Sequence, residues 1–497
     1  MGSDDFRHLV RSPMTATTET TTERRASTPG ERSIESNTPP LRVTGPDEAY
    51  LLAQDLFGIG SPIQYLWVFE DDPGPGAIEE LRDGLARGSL HRMVSRTRVP
   101  AARHRWVRSL MPAAGHDDDT IDDDAIASWV DRRVRDSGVE PISGRGWRLD
   151  SATTTAGHRV VSLVVSHMVT DGHGLFSALE AALSKTAALL PDPAGVHGRR
   201  VLGEDLVDAA SQVRAAGRSV RVLARAGWQQ YRDRRAASAA ADGEVPATTA
   251  RTRPSRLGSR SLAEPADGSG PDTTLAIVDV DSDAWAECAR AHGGTSNSLF
   301  TALLAGIVDR SGLPVDDELR VCIAVSTRDG DTDQRANASG GVWIRLAGPV
   351  GPGEGLEDIR TLSKNAFGEY AAKRHDQVAD NLQPLVRLLP SRAIASMMRS
   401  VPGPDTTVSN LGRVPDAVLR IGNSTATRFA VRALASGLPI QDRRTRGPAV
   451  AAWAAAYGSR ITLTFFGIHP DHFGDSDTVR AMIDDELTAW NLEHWFW

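Results

Sequence analysis

Between residues 160 and 176 the chain reads VVSLVVSHMVTDGHGLF, apolar at nearly every position until His167. A continuous β-branched run of this kind predicts a strand buried on both faces. Just before it, GWRLDSATTTAGHRVV predicts a preceding strand and a polar turn, and after it GLFSALEAALSKTAALL carries helical spacing. Nearer the start, DEAYLLAQDLF reads as a short amphipathic helix and SPIQYLWVFED as a strand stopped by DDPGPG. AIEELRDGLARGSL sets Ile78, Leu81 and Leu85 on one helical face, and MVSRTRV and RHRWVR predict two more strands.

The second half repeats this mixture. TTLAIVDVD predicts a strand, DAWAECARA a helix, and a second helix opens at the capping residues Thr295 to Asn297. LRVCIAVSTRD, GGVWIRLAGPV, TTVSNLGRVP, FAVRALA, VAAWAAAYGSR and ITLTFFGIHP supply strands, and TVRAMIDDELTAW closes the chain as a helix. The expected class is α/β (α+β), with related lobes in the two halves.

Composition divides the chain further. Residues 1–45 are rich in Thr, Ser, Glu and Pro and poor in large apolar groups, so they predict a disordered tail. Residues 46–190 form the first lobe and 271–497 the second. The crossover at 191–270 pairs a helix with an Ala, Gly, Pro, Ser and Thr tract. That helix sets Val213, Val220, Leu223 and Tyr231 against arginines 214, 218, 221, 225 and 232. It reads as a linker helix packing its apolar stripe on a neighbour, or as a surface for an anionic membrane or an acidic partner.

At 497 residues, 40% of them hydrophobic, the chain is expected to be a soluble protein of more than one lobe. Its net charge of −8 argues against nucleic acid as a partner. No run approaches the roughly 18 apolar residues of a membrane span. The opening MGSDDFRHLV lacks a secretory pattern, and two cysteines, Cys288 and Cys322, cannot build a disulfide framework. A cytoplasmic location, with peripheral membrane contact through the basic helix as an option, fits these features.

The chemistry is expected at the end of the hydrophobic strand. His167 is fixed there on a rigid element, and a neutral histidine ring can accept a proton from a hydroxyl or amine. Asp171 is expected to ion-pair with an arginine, while Gly172 lets the chain turn without a Cβ clash. The plain alternative is a partly buried histidine followed by an Asp-Gly turn. Elsewhere, HDDDTIDDD reads as a solvated helix start, and His469 and His472 of HPDHFGD as a strand-to-helix loop rather than a metal pair. There is no G-x-S-x-G elbow and no nucleotide-binding loop.

SHMVTDGHG at 166–174 resembles the H-x-x-x-D-G acyltransferase superfamily, which includes chloramphenicol acetyltransferase, condensation domains and wax ester synthase/diacylglycerol acyltransferases. PDEAYLLAQDLFGIGSPIQYLWVFEDD, HRMVSRTRVPAARHRWV, AVSTRDGDTDQRANASGGVWIRLAGP and TTVSNLGRVP are similar to further blocks of the last group. Ser166 stands where wax ester synthases and condensation domains usually carry a first histidine. The resemblance implies two chloramphenicol-acetyltransferase-like lobes with mixed sheets and an active-site tunnel between them. It implies His167 as catalytic base and Asp171 as the structural aspartate, with Arg96 or Arg98 as its partner. It places Ser409, Asn410 and Asn337 near the substrate, where Ser409 or Asn410 serves as oxyanion donor or merely as a turn. The implied reaction moves an acyl group from acyl-CoA or an acyl-carrier thioester to an alcohol or amine, with no bound cofactor and no metal. A non-catalytic lipid- or protein-binding scaffold is the reading of another class.

Overall fold

The computed structural model describes residues 41–117, 120–240, 273–330, 333, 335–348, 350–372, 384–400 and 403–497; side chains of 222–231 and 233–240 are excepted. The tail expected over 1–45 lies outside these residues up to position 40, as does 241–272 of the crossover. Residues 41–45 are part of the packed chain: Val43 is buried, and its N–H donates to the His104 carbonyl at 2.9 Å.

The first sheet is built from β1 (Pro62–Phe69), β4 (Ala114–Asp117), β5 (Trp147–Thr153), β6 (Arg159–Ser166) and, from far along the chain, β13 (Arg428–Ala433). Its order is β13-β1-β6-β5-β4, antiparallel except for the parallel pair β4–β5. Two short strands, β2 (Arg92–Ser95) and β3 (Arg105–Arg108), pair separately with each other.

The continuous apolar character of β1 and β6 has a direct cause, because the sheet is covered on both sides. Tyr65, Trp67, Leu163 and Val165 share a cluster with helices α2 (Ala77–Arg87) and α4 (Gly172–Leu183). The alternate residues Leu66, Val68 and Val160 pack against Ile126, Trp129 and Val130 of α3 (Ile126–Arg135). With no face left to water, the period-two alternation of a half-exposed strand disappears.

The second sheet has seven strands, drawn from β7 (Thr274–Asp281), β8 (Leu319–Ser326), β9 (Ser339–Leu346), β10 (Thr406–Arg413), β14 (Val450–Tyr457), β15 (Arg460–Gly467) and β16 (His494–Phe496). The order is β16-β7-β15-β14-β10-β8-β9, with β10 parallel to both its neighbours. The helix Ser296–Arg310 is buried continuously from Ser298 to Val308, which matches its nearly all-round apolar sequence. A short pair, β11 (Arg420–Ile421) and β12 (Ser424–Thr425), leads into β13. Thr464 of β15 donates to the Val431 carbonyl of β13 at 2.6 Å, so a hydrogen bond ties the two sheets where they meet.

The crossover helix α5 (Arg199–Ala240) departs from the reading that packs its apolar stripe on a neighbour. Over its described side chains the apolar stripe points outward, leaving Leu202, Leu206, Val213 and Val220 exposed. The inward face is polar instead. Asp205 meets Arg42 and Arg105, each at 2.7 Å, and Asp208 meets Arg103 at 2.7 Å. Buried charge pairs, not apolar packing, therefore hold this part of the helix to the body. Leu223, Arg225 and Tyr231 lie outside the described side chains.

Candidate functional site

His167 follows β6 directly, and its backbone N–H donates to the Ser61 carbonyl at 2.7 Å, which extends the β6–β1 ladder by one residue. The Val169 N–H then bonds back to the Ser166 carbonyl, and the chain turns into α4. The ring is thus carried at the end of the central strand of the first sheet. Tyr50, from helix α1 (Gly45–Phe57), stacks on it with centroids 4.4 Å apart and planes 19° off parallel. Burial pushes the imidazole below its ordinary pKa, against the opposing pull of its own backbone carbonyl, Asp171, Asn337 and Asp47.

Asn337 belongs to the segment leading into β9, yet it reaches the ring. Its Oδ1 lies 2.9 Å from His167 Nδ1, while its Nδ2 donates to the carbonyls of His167 and Met168 and to the Asp47 carboxylate. Asn337 is buried beneath the histidine and does not line the cavity. The substrate-binding place implied for it is therefore corrected: its polar atoms are spent on the protein. Nε2 of His167 has no hydrogen-bond partner among the described residues and is the nitrogen left for a substrate.

Asp171 caps α4, accepting from the Gly174 N–H at 2.7 Å. The same Oδ1 accepts from Arg328 Nη2 at 2.7 Å, and Oδ2 accepts from the Ala338 N–H at 2.7 Å. The arginine partner is Arg328, not Arg96 or Arg98. Arg96 is half exposed and pairs with Asp55, and Arg98 is exposed. On β2 it is Arg92 that turns inward, stacking on Trp106 and donating to the Val169 carbonyl. Arg328 comes from the turn after β8 and also donates to the carbonyls of Asp333 and Arg335. One carboxylate of the first sheet's loop is thus gripped by two segments of the second.

Gly172 answers a close approach rather than a sharp turn. It has no left-handed backbone, and an added Cβ would lie 2.4 Å from Leu411 Cδ2. Its carbonyl accepts from the Tyr65 hydroxyl at 2.6 Å. Gly174 is hemmed in more severely, since a Cβ there would meet Thr170 Oγ1, Arg328 Nη2 and Asp171 Oδ1 within about 3.1 Å.

A cavity of about 720 Å³ opens beside His167. Tyr50 and Phe57 of α1, Ile63 of β1 and Val431 of β13 form one side, and Trp453 and Phe466 of the second sheet the other. Ser409 on β10 also lines it, and its hydroxyl has no hydrogen-bond partner among the described residues. Asn410 beside it is engaged: Nδ2 donates to Asn297 Oδ1 at 2.7 Å, and Oδ1 accepts from the Gly412 N–H at 2.8 Å. Both donor candidates line the cavity, but the Asn410 amide is committed to Asn297 and Gly412 while the Ser409 hydroxyl is uncommitted. The site is accordingly a largely apolar chamber with the His167 imidazole and the Ser409 hydroxyl at its wall, and with Arg399, Asp442, Arg443 and Arg446 also in its lining.

Among the described residues no group of three or more His, Cys, Asp or Glu is placed to hold a metal. His469 precedes the short helix Pro470–Phe473 and His472 lies within it, with His472 Nδ1 at 2.8 Å from the Ser311 carbonyl oxygen. No helix among the described residues is long and apolar enough to cross a membrane.

Sequence reasoning missed Arg328, Asp47 and Tyr50. A signal for the first was present: LRVCIAVSTRDG, like VVSLVVSHMVTDG, is an apolar strand ending in a polar residue before Asp-Gly.

No protein-family model and no curated protein matches the sequence. Solved structures do match. The condensation domain from Monacolin K polyketide synthase MokA aligns over 91% of this chain and 96% of its own, with a TM-score of 0.53 and 14% identity. The wax ester synthase/diacylglycerol acyltransferase from Marinobacter aquaeolei VT8 aligns over 90% and 98%, with a TM-score of 0.52 and 11% identity. The first condensation domain of the CDA synthetase aligns over 92% and 97%, with a TM-score of 0.55 and 15% identity. Identities this low speak for architecture alone. The chain has the two-lobed, chloramphenicol-acetyltransferase-like fold that condensation domains share with wax ester synthase/diacylglycerol acyltransferase.

Proposed function

We propose that this chain is an acyltransferase, moving an acyl group from a thioester to a hydroxyl or amine acceptor with His167 as general base. The observation that carries the reading is the pairing of Nδ1 with Asn337 Oδ1, which leaves Nε2 as the ring's free acceptor beside a large apolar cavity. Nε2 takes the acceptor's proton as its oxygen or nitrogen attacks the thioester carbonyl. The carbonyl electrons move onto oxygen and return as the carbon–sulfur bond breaks, and the imidazolium gives its proton to the departing thiolate. Ser409 is the candidate donor to the transient oxyanion. The apolar lining suits an aliphatic acyl chain.

The test is product analysis by mass spectrometry with acyl-CoAs of increasing chain length and mixed alcohol and amine acceptors. The expected result is acceptor-dependent ester or amide. Absence of product from every acyl-CoA, with product from acyl-loaded carrier protein, would move the donor to the carrier. Absence from both would leave a binding scaffold.

A further inference from the structure

We propose that Asp47 is a positioning residue that sets the tautomer of His167 through Asn337; the inference rests on the acyltransferase reading only for its effect on rate. Asp47 sits in the first turn of α1, fully buried and away from the cavity. Its Oδ1 accepts from both the backbone N–H and the Nδ2 of Asn337, each at 3.0 Å. Its Oδ2 accepts from the Thr44 N–H at 2.8 Å and, more weakly, from Trp106 Nε1 at 3.4 Å. Every contact of this carboxylate is a donor, so it has one orientation and no alternative.

That arrangement dictates how the Asn337 amide must lie. Its nitrogen faces three acceptors: the Asp47 carboxylate and the carbonyls of His167 and Met168. Turning the amide over would set Oδ1 against all three oxygens, a buried arrangement with no compensating hydrogen bond. Oδ1 is therefore held toward His167 Nδ1, and an oxygen at 2.9 Å requires the proton to be on Nδ1. Nε2 is left with its lone pair. The same helix supplies the stacking ring Tyr50 one turn on, so α1 fixes both the plane of the imidazole and its protonated edge. The ring's own carbonyl also lies within reach of its N–H, which is the competing explanation for the tautomer.

The test is ¹⁵N NMR of the full chain with labelled histidine, the His167 signals being identified by their loss in His167→Gln. Wild type is expected to show the Nδ1–H form. In Asp47→Ala, with secondary structure checked by circular dichroism, the signals should move to a mixture containing Nε2–H. The kcat should fall about tenfold or more with KM within twofold. Asn337→Ala should shift the tautomer the same way, and it decides the matter if Asp47→Ala does not fold. A folded Asp47→Ala or Asn337→Ala whose His167 remains wholly Nδ1–H overturns the proposal and assigns the tautomer to the ring's own carbonyl. The NMR arm needs no turnover: a shifted tautomer with unchanged kcat supports the relay while contradicting the general base.

Discussion

Arg328 Nη2 and Asp171 Oδ1 stand 2.7 Å apart across the junction of the two sheets, both nearly excluded from water. The pair closes the loop that carries His167 onto the second sheet. Arg96, just after β2, is 49% exposed at its side chain and pairs elsewhere, against 10% for Arg328.

The two arginines should therefore behave differently. Arg328→Ala leaves a buried carboxylate without its cation, and we expect a loss of about 3–5 kcal/mol in urea unfolding. Arg96→Ala removes a surface pair and should change stability by no more than about 0.5 kcal/mol. Equal effects would contradict the assignment of Arg328.

Gly172→Ala drives a methyl group into Leu411, and overpacking of this kind costs about 1–3 kcal/mol. In a Leu411→Ala background the same change should be close to neutral. A double-mutant cycle of urea midpoints measures the coupling. No coupling would mean that Gly172 serves some purpose other than this close approach.

The pH profile of kcat/KM carries a signed expectation. Protonated His167 cannot accept a proton, so activity falls as pH drops through its pKa in the folded enzyme. Burial holds that value below the ordinary 6.5. The acid limb should thus have its midpoint below 6.5, and activity should persist in mild acid where a solvated histidine would be mostly charged. A midpoint above 6.5 would show that the neighbouring carboxylates Asp171 and Asp47 outweigh desolvation.

Ser409→Ala and Asn410→Ala separate the two residues that the sequence offered together. Ser409 has an uncommitted hydroxyl at the cavity, so its loss should lower kcat about 100-fold with KM little changed. Asn410 spends its amide on Asn297 and Gly412, so its loss should appear in unfolding curves rather than in kcat. The reverse pattern would make Asn410 the oxyanion donor.

Much of this was legible in the chain. The strand that ends on His167, the aspartate four residues on and the mixed strands and helices of both halves follow from local pattern, because a doubly covered strand must be apolar throughout. What pattern could not supply was partnership at a distance. Arg328 lies 157 residues from Asp171 and Asn337 lies 290 from Asp47, and nothing in local spacing ties such pairs. Helix α5 misled for another reason: its apolar stripe is exposed because a denser set of charge pairs, Asp205 and Asp208 with Arg42, Arg103 and Arg105, claims the inward face. Periodicity reports that a helix has two faces, and only the neighbour decides which is buried.

The central claim is that His167 performs the proton transfer, and the most direct measurement compares thiol release and acceptor-dependent product formation by wild type and His167→Ala, side by side. Both chains would first be matched for fold by circular dichroism. A turnover loss of about 10²–10⁴-fold in the variant is the predicted result. A folded His167→Ala that transfers the acyl group at the wild-type rate would contradict it.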